Sequence, residues 1–105
     1  MISELVWFDL PAGMRREEVV EGMRDVAPSW RANAELIRKT FLYDAEKRRT
    51  GALYLWKTKA AADAAHDDTW RRRVREKYGS TPTREFFETP LVVDNALGQT
   101  IDDGG

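Results

Sequence analysis

The sequence predicts a single α+β domain of ferredoxin-like order, β-α-β-β-α-β, in which two helices cover one face of a four-stranded antiparallel sheet. Three observations predict it. At 105 residues the chain can bury one hydrophobic core but not two. Four segments rich in β-branched and aromatic residues alternate with two long segments whose apolar residues recur at helical spacing. The order of these segments is the split β-α-β arrangement, with no internal repeat.

Residues 2–9 form the first expected strand, stopped by Pro11 and Gly13, which restrict and free φ respectively. From Met14 to about Ala32, Val19, Met23, Val26 and Trp30 mark one helical stripe, with Glu17 and Glu18 near the positive end of the helix dipole. Pro28 is expected to bend or interrupt this helix. Residues 36–44 and 52–58 are two strands joined by a short charged loop containing Gly51, a hairpin. Thr58 can cap the next helix, and Trp70, Val74 and Tyr78 continue it at i, i+4 spacing until Gly79. Asp67 and Asp68 are better caps than helix-interior residues, so a break is expected there. Residues 83–95 supply the last strand, compromised at Pro90, and about 96–105 form a partly mobile tail.

Alternation along the strands divides their side chains between two faces. Leu5 and Trp7 oppose Val6 and Phe8, while Leu53 and Leu55 oppose Tyr54 and Trp56, so both faces of the sheet are apolar. Two helices cover one face only. A second copy packed on the other is the economical cover, which predicts a homodimer.

Composition excludes several classes. There are no cysteines, hence no disulfide, thiolate metal site or cysteine nucleophile in this chain. Seventeen basic residues against 18 acidic ones leave a net charge of −1, without the basic footprint of a nucleic-acid binder. The first strand is interrupted by Glu4 and Asp9 and reads as neither a signal peptide nor a membrane span, so a cytoplasmic protein is the expectation. No phosphate loop, HExxH, GxSxG or paired-histidine metal spacing occurs, and no metal site is expected.

What remains is aromatic and protic. Trp7, Tyr43, Tyr54, Trp56, Trp70 and Phe86 are candidates for the walls of a pocket suited to a flat, weakly acidic aromatic ligand. His66 is the candidate base and Lys39 the candidate cation for a developing oxyanion. Each has a plainer reading: His66 as a helix-end residue, Lys39 as a solvated strand residue, and the Trp70, Val74, Tyr78 stripe as core. Residues 71–77, RRRVREK, read as a solvated helix face with Arg-Glu pairs.

The segment LIRKTFLYDAEKRRTGALYLWKTKAAADAAH, residues 36–66, resembles the YdhR-like proposed monooxygenases of the dimeric α+β-barrel superfamily. The resemblance rests on the Lys39 strand, the charged loop ending in Gly51, the GALYLW strand and the alanine-rich helix start, and the remaining elements follow in the expected order. It implies a dimeric barrel and a monooxygenase that needs no cofactor, acting on a phenol, quinol or anthrone-like ring. Haem-degrading members of the same superfamily pair a strand tryptophan with a helical histidine about ten residues on, a spacing that Trp56 and His66 match. Haem is therefore the alternative cofactor, although the first-strand asparagine of those enzymes is missing here, with Trp7 in its neighbourhood. A non-catalytic dimer binding an aromatic ligand fits the same residues.

Overall fold

The computed structural model describes residues 1–104. Its elements are β1 (Ile2–Asp9), α1 (Arg16–Arg31), β2 (Leu36–Asp44), β3 (Arg49–Trp56), α2 (Lys59–Ala65), α3 (Asp68–Tyr78), β4 (Thr83–Glu88), β5 (Leu91–Asp94) and β6 (Gln99–Asp102). The main sheet has the order β2-β3-β1-β4, and all its pairings are antiparallel. This is the ferredoxin-like α+β fold. β5 and β6 form a separate two-stranded ribbon.

The second expected helix is two helices. The Thr58 hydroxyl accepts the Ala61 N–H at 3.1 Å to start α2, and the Asp67 carboxylate accepts the Trp70 N–H at 2.9 Å to start α3. His66 sits in the joint, at the C-cap of α2. Gly79 ends α3 in the left-handed conformation, φ 75°, with its N–H on the Arg75 carbonyl. α1 runs through Pro28 without a break, and the proline forgoes the one N–H bond that another residue would make to the Arg24 carbonyl.

β3 starts at Arg49, three residues before the expected strand, so Gly51 belongs to the strand and not to the loop. It faces Trp7 on one side and Leu42 on the other. A Cβ at Gly51 would lie 1.8 Å from the Val6 carbonyl oxygen, so only a hydrogen fits. The loop proper is residues 45–48, closed by the Asp44 carboxylate accepting the Lys47 N–H at 3.1 Å.

Pro90 divides the expected last strand. β4 pairs with β1, whereas β5 leaves the sheet and pairs with β6, which lies within the segment expected to be a tail. The ribbon leans over the face opposite the helices: Val92 lines a small cavity together with Leu53 and Leu55, and Asp94 pairs with Arg38. It buries Leu55 but leaves Leu53 and Phe87 exposed at 42% and 53%. One chain therefore covers only part of its second apolar face.

Register places Glu4, Val6 and Phe8 of β1 on the helix side, beside Ala52, Tyr54 and Trp56 of β3, Lys39 and Phe41 of β2, and Arg84 and Phe86 of β4. The core lies here. Val6, Ala52, Tyr54, Trp56 and Ala62 are its buried centre.

Candidate functional site between the sheet and the helices

The helix side of the sheet holds a charged network and, next to it, a cavity. Glu4 points inward from the central strand and is fully buried. Its carboxylate accepts hydrogen bonds from Trp56 Nε1 at 2.9 Å and from His66 Nδ1 at 2.9 Å, and it pairs with the Arg84 guanidinium. Arg84 also donates to Asp63 at 2.9 Å, and Asp63 pairs with Lys59 at 3.0 Å. Burial pushes the Glu4 carboxyl up, but the bonds from His66 and Arg84 more than offset it and hold the group below its usual range. Burial also lowers His66, against the opposing pull of Glu4, so the imidazole is neutral at neutral pH. A carboxylate can only accept, which puts the imidazole proton on Nδ1 and leaves a lone pair on Nε2. Nε2 is buried and has no hydrogen-bond partner.

Aromatic rings enclose His66. The rings of Trp70, Tyr54, Trp30 and Trp56 lie with centroids 4.1, 4.6, 5.5 and 6.0 Å from the imidazole. Three of these, Trp30, Tyr54 and Trp70, also form the wall of a cavity of about 200 Å³ between the sheet, α1 and α3. The imidazole thus sits one ring behind the cavity.

Lys39 is in the wall itself. Its ammonium stands 3.9 Å from the Trp30 ring centroid, 4.1 Å from Phe41 and 4.6 Å from Tyr54, a three-sided aromatic box. It makes no ion pair among the described residues. Burial pulls it down to about 7, against the more distant attraction of Glu4. Burial raises the Tyr54 phenol far above its usual range, so that hydroxyl stays protonated and can only donate or accept a hydrogen bond.

Of the candidates read from sequence, Lys39, Tyr54 and Trp70 line the cavity. His66 and Trp56 lie behind it, joined through Glu4. The other three lie away from it. Trp7 belongs to the opposite face of the sheet, because an odd position on β1 points away from Glu4 and Val6, and it stacks under Arg49 at 4.1 Å. Tyr43 has the correct face but sits near the start of α1, beneath Arg16. Phe86 also has the correct face, yet it packs on β4 between Lys59 and Arg84. The sequence reading missed Glu4, Arg84 and Trp30. It also missed that Arg73 and Lys77, from the run read as a solvated face, border the cavity. The ion pair of that run is Arg71 with Asp68 rather than an Arg-Glu pair. A carboxylate at an inward position of a central strand was the available signal for Glu4, since such a charge requires buried partners.

No group of three or more His, Cys, Asp or Glu residues is placed to hold a metal ion among the described residues, and no helix is long and apolar enough to cross a membrane. The lone pair on His66 Nε2 is the one a haem iron would take, and it lies among the rings behind the cavity lining.

No protein-family model and no curated protein matches the sequence. Solved structures do match the fold. A proposed antibiotic biosynthesis monooxygenase from Deinococcus radiodurans superposes with a TM-score of 0.68 at 10% identity, over 90% of this chain and 97% of the other. MhuD, in a mutant form with two manganese protoporphyrin IX molecules bound per active site, gives 0.67 at 16% identity, over 90% and 100%. A mutant of SnoaB, a cofactor-independent oxygenase from Streptomyces nogalater, gives 0.62 at 14% identity, over 88% and 95%. The chain shares their fold. At these identities the likeness does not carry an activity across.

Proposed function

We propose that this chain is a cofactor-independent monooxygenase acting on a small aromatic substrate with an acidic C–H or O–H group, and that it belongs with the YdhR-like proteins. The observation that carries the reading is the pairing of an aromatic-walled cavity, holding a cation without a counter-ion, with a buried neutral imidazole one ring away. The folds of SnoaB and of the Deinococcus protein support it.

For an activated ring methylene the reaction balances as CH₂ plus O₂ giving C=O plus H₂O. His66 Nε2 takes the first proton, once the Trp70 ring moves from between it and the substrate; Glu4 holds the imidazole in the tautomer that can do so and steadies the imidazolium formed. Negative charge then develops on the ring oxygen, where the Lys39 ammonium compensates it in a dry site. The carbanion reduces O₂, giving a peroxide at the same carbon, and loss of water leaves the carbonyl. Trp30, Tyr54 and Trp70 orient the ring and exclude solvent.

The test is an oxygen-electrode assay with a panel of anthrones and naphthols and no added cofactor. Uptake of one O₂ per carbonyl formed, lost in His66→Asn, is the expected result. Equal product under argon would make the protein a proton-transfer enzyme, and saturable binding without uptake would make it a binding protein. Both outcomes contradict the proposal.

The same reading includes a homodimer in the cytoplasm, with a second copy on the exposed Leu53 and Phe87 surface. Sedimentation equilibrium at micromolar protein should return twice the chain mass, and a clean monomer would remove this part.

A further inference from the structure

The charges around the cavity are one-sided. The chain as a whole has more acids than bases, yet the cavity is bordered by Lys39, Arg73 and Lys77 and by no aspartate or glutamate. Arg73 and Lys77 stand at i, i+4 on α3, where like charges repel each other. Neither forms an ion pair among the described residues, although Arg71 on the same helix does, with Asp68. The Lys77 side chain lies against Gly22, buried in the middle of α1: a Cβ there would come within 2.9 Å of the flexible end of Lys77 at Nζ and 3.2 Å of the Tyr78 hydroxyl. The cavity rim thus carries a lysine and an arginine one turn apart, both without a counter-ion among the described residues.

We infer that the substrate carries, besides its ring, a fixed carboxylate, received at the rim by Arg73 and Lys77 while Lys39 faces the reacting oxygen. The inference rests on the proposed function for the position of the reacting oxygen. A hydroxy-aromatic acid of one or two rings is the class that satisfies it. The ring lies in the cavity, the hydroxyl or keto oxygen meets Lys39, and the carboxylate takes the charge-assisted hydrogen bonds that the two rim side chains lack within the protein. Arg73 and Lys77 are exposed, so they select the ligand without being part of the folded core.

The test compares naphthol with hydroxynaphthoate by quenching of the intrinsic tryptophan emission, since Trp30 and Trp70 line the cavity. Wild type should bind the acid roughly tenfold or more tightly than the neutral phenol, and that ratio should shrink as salt is added. The R73Q/K77Q double variant should bring the ratio close to one. Equal affinity of wild type for both probes would overturn this inference and leave the proposed function standing. A double variant that keeps the wild-type ratio would overturn the assignment to the rim. Failure of both probes to bind would overturn the inference and the proposed function together.

Discussion

Arg84 and Lys39 project from opposite edge strands of one sheet onto the same helix-covered face, and their surroundings differ in kind. Arg84 finds two carboxylates, Glu4 and Asp63, and the network continues to Trp56, His66 and Lys59. Lys39 finds three rings and no carboxylate within ion-pair distance. The first region satisfies its own charges, which is what a structural ion network does. The second keeps a cation whose only close neighbours are the faces of aromatic rings, at the edge of a cavity. The contrast separates a framework that fixes the imidazole from a cation left without a counter-ion at the cavity wall.

Perturbing the two regions should therefore move stability in opposite directions. Glu4→Gln takes the charge from the centre of the closed network and leaves Arg84 short of its buried partner. We expect a loss of ~3–5 kcal/mol in urea denaturation. Trp56→Phe removes only one donor from Glu4, and a hydrogen bond to a charged acceptor of this kind is worth ~1.5–3 kcal/mol by the same measurement. Lys39→Met keeps an unbranched apolar side chain and removes the unpaired charge, so it should stabilise the protein by ~1–3 kcal/mol while weakening any anionic ligand. A destabilised Lys39→Met protein would mean that Lys39 is as structural as Arg84.

pH sharpens the same comparison. Lys39 has a folded value of about 7, below the ordinary lysine value of 10.5, so between these two the unfolded chain binds more protons and stability rises with pH. Below about 7 both states are protonated and this dependence stops. Thermal melts from pH 7 to 9 should show the rise in wild type and not in Lys39→Met. The network behaves differently. His66 is lowered from 6.5, so as pH falls below that value the unfolded state takes up the proton first and stability declines, and protonation of Glu4 at still lower pH continues the loss. Arg84 contributes no step in either window.

The fold was legible because its signals are periodic. Alternation in β1 and β3 gives the correct two faces, and Thr58, Asp67 and Gly79 mark helix ends by chemistry that needs no tertiary context. The break at Asp67 was visible for the same reason. Gly51 was misread as a loop residue because its role is set by the neighbouring strand, whose Val6 carbonyl occupies the place of a side chain. The second hairpin was hidden by polar, flexible composition in residues 96–105, although Asp94 and Gly98 repeat the logic of the first, with the Asp94 carboxylate accepting the Leu97 N–H at 3.0 Å and Gly98 at φ 64° where Arg48 stands at 52°.

The site was legible by residue type and less so by place. Face parity alone excludes Trp7, since it lies one position from Val6 and Phe8 on an alternating strand. Position along the strand excludes Tyr43 and Phe86, and nothing in a linear sequence fixes that without knowing where α1 and α3 lie. Glu4 stood in plain view as the interruption of an apolar run. Its meaning appears only when Trp56, His66 and Arg84, from three separate elements, converge on it. Arg73 and Lys77 were concealed in a run of charges that elsewhere is solvated.

The central claim is that Lys39 is held without a counter-ion so that a ligand oxyanion can supply one. Its most direct test is NMR titration of the Lys39 side chain, assigned by comparison with Lys39→Met, in the free protein and in the presence of saturating hydroxynaphthoate. The midpoint should lie near 7 in the free protein and move up toward the ordinary lysine value when the ligand is bound. A midpoint already at the ordinary value in the free protein, or one that saturating ligand leaves unchanged, would contradict it.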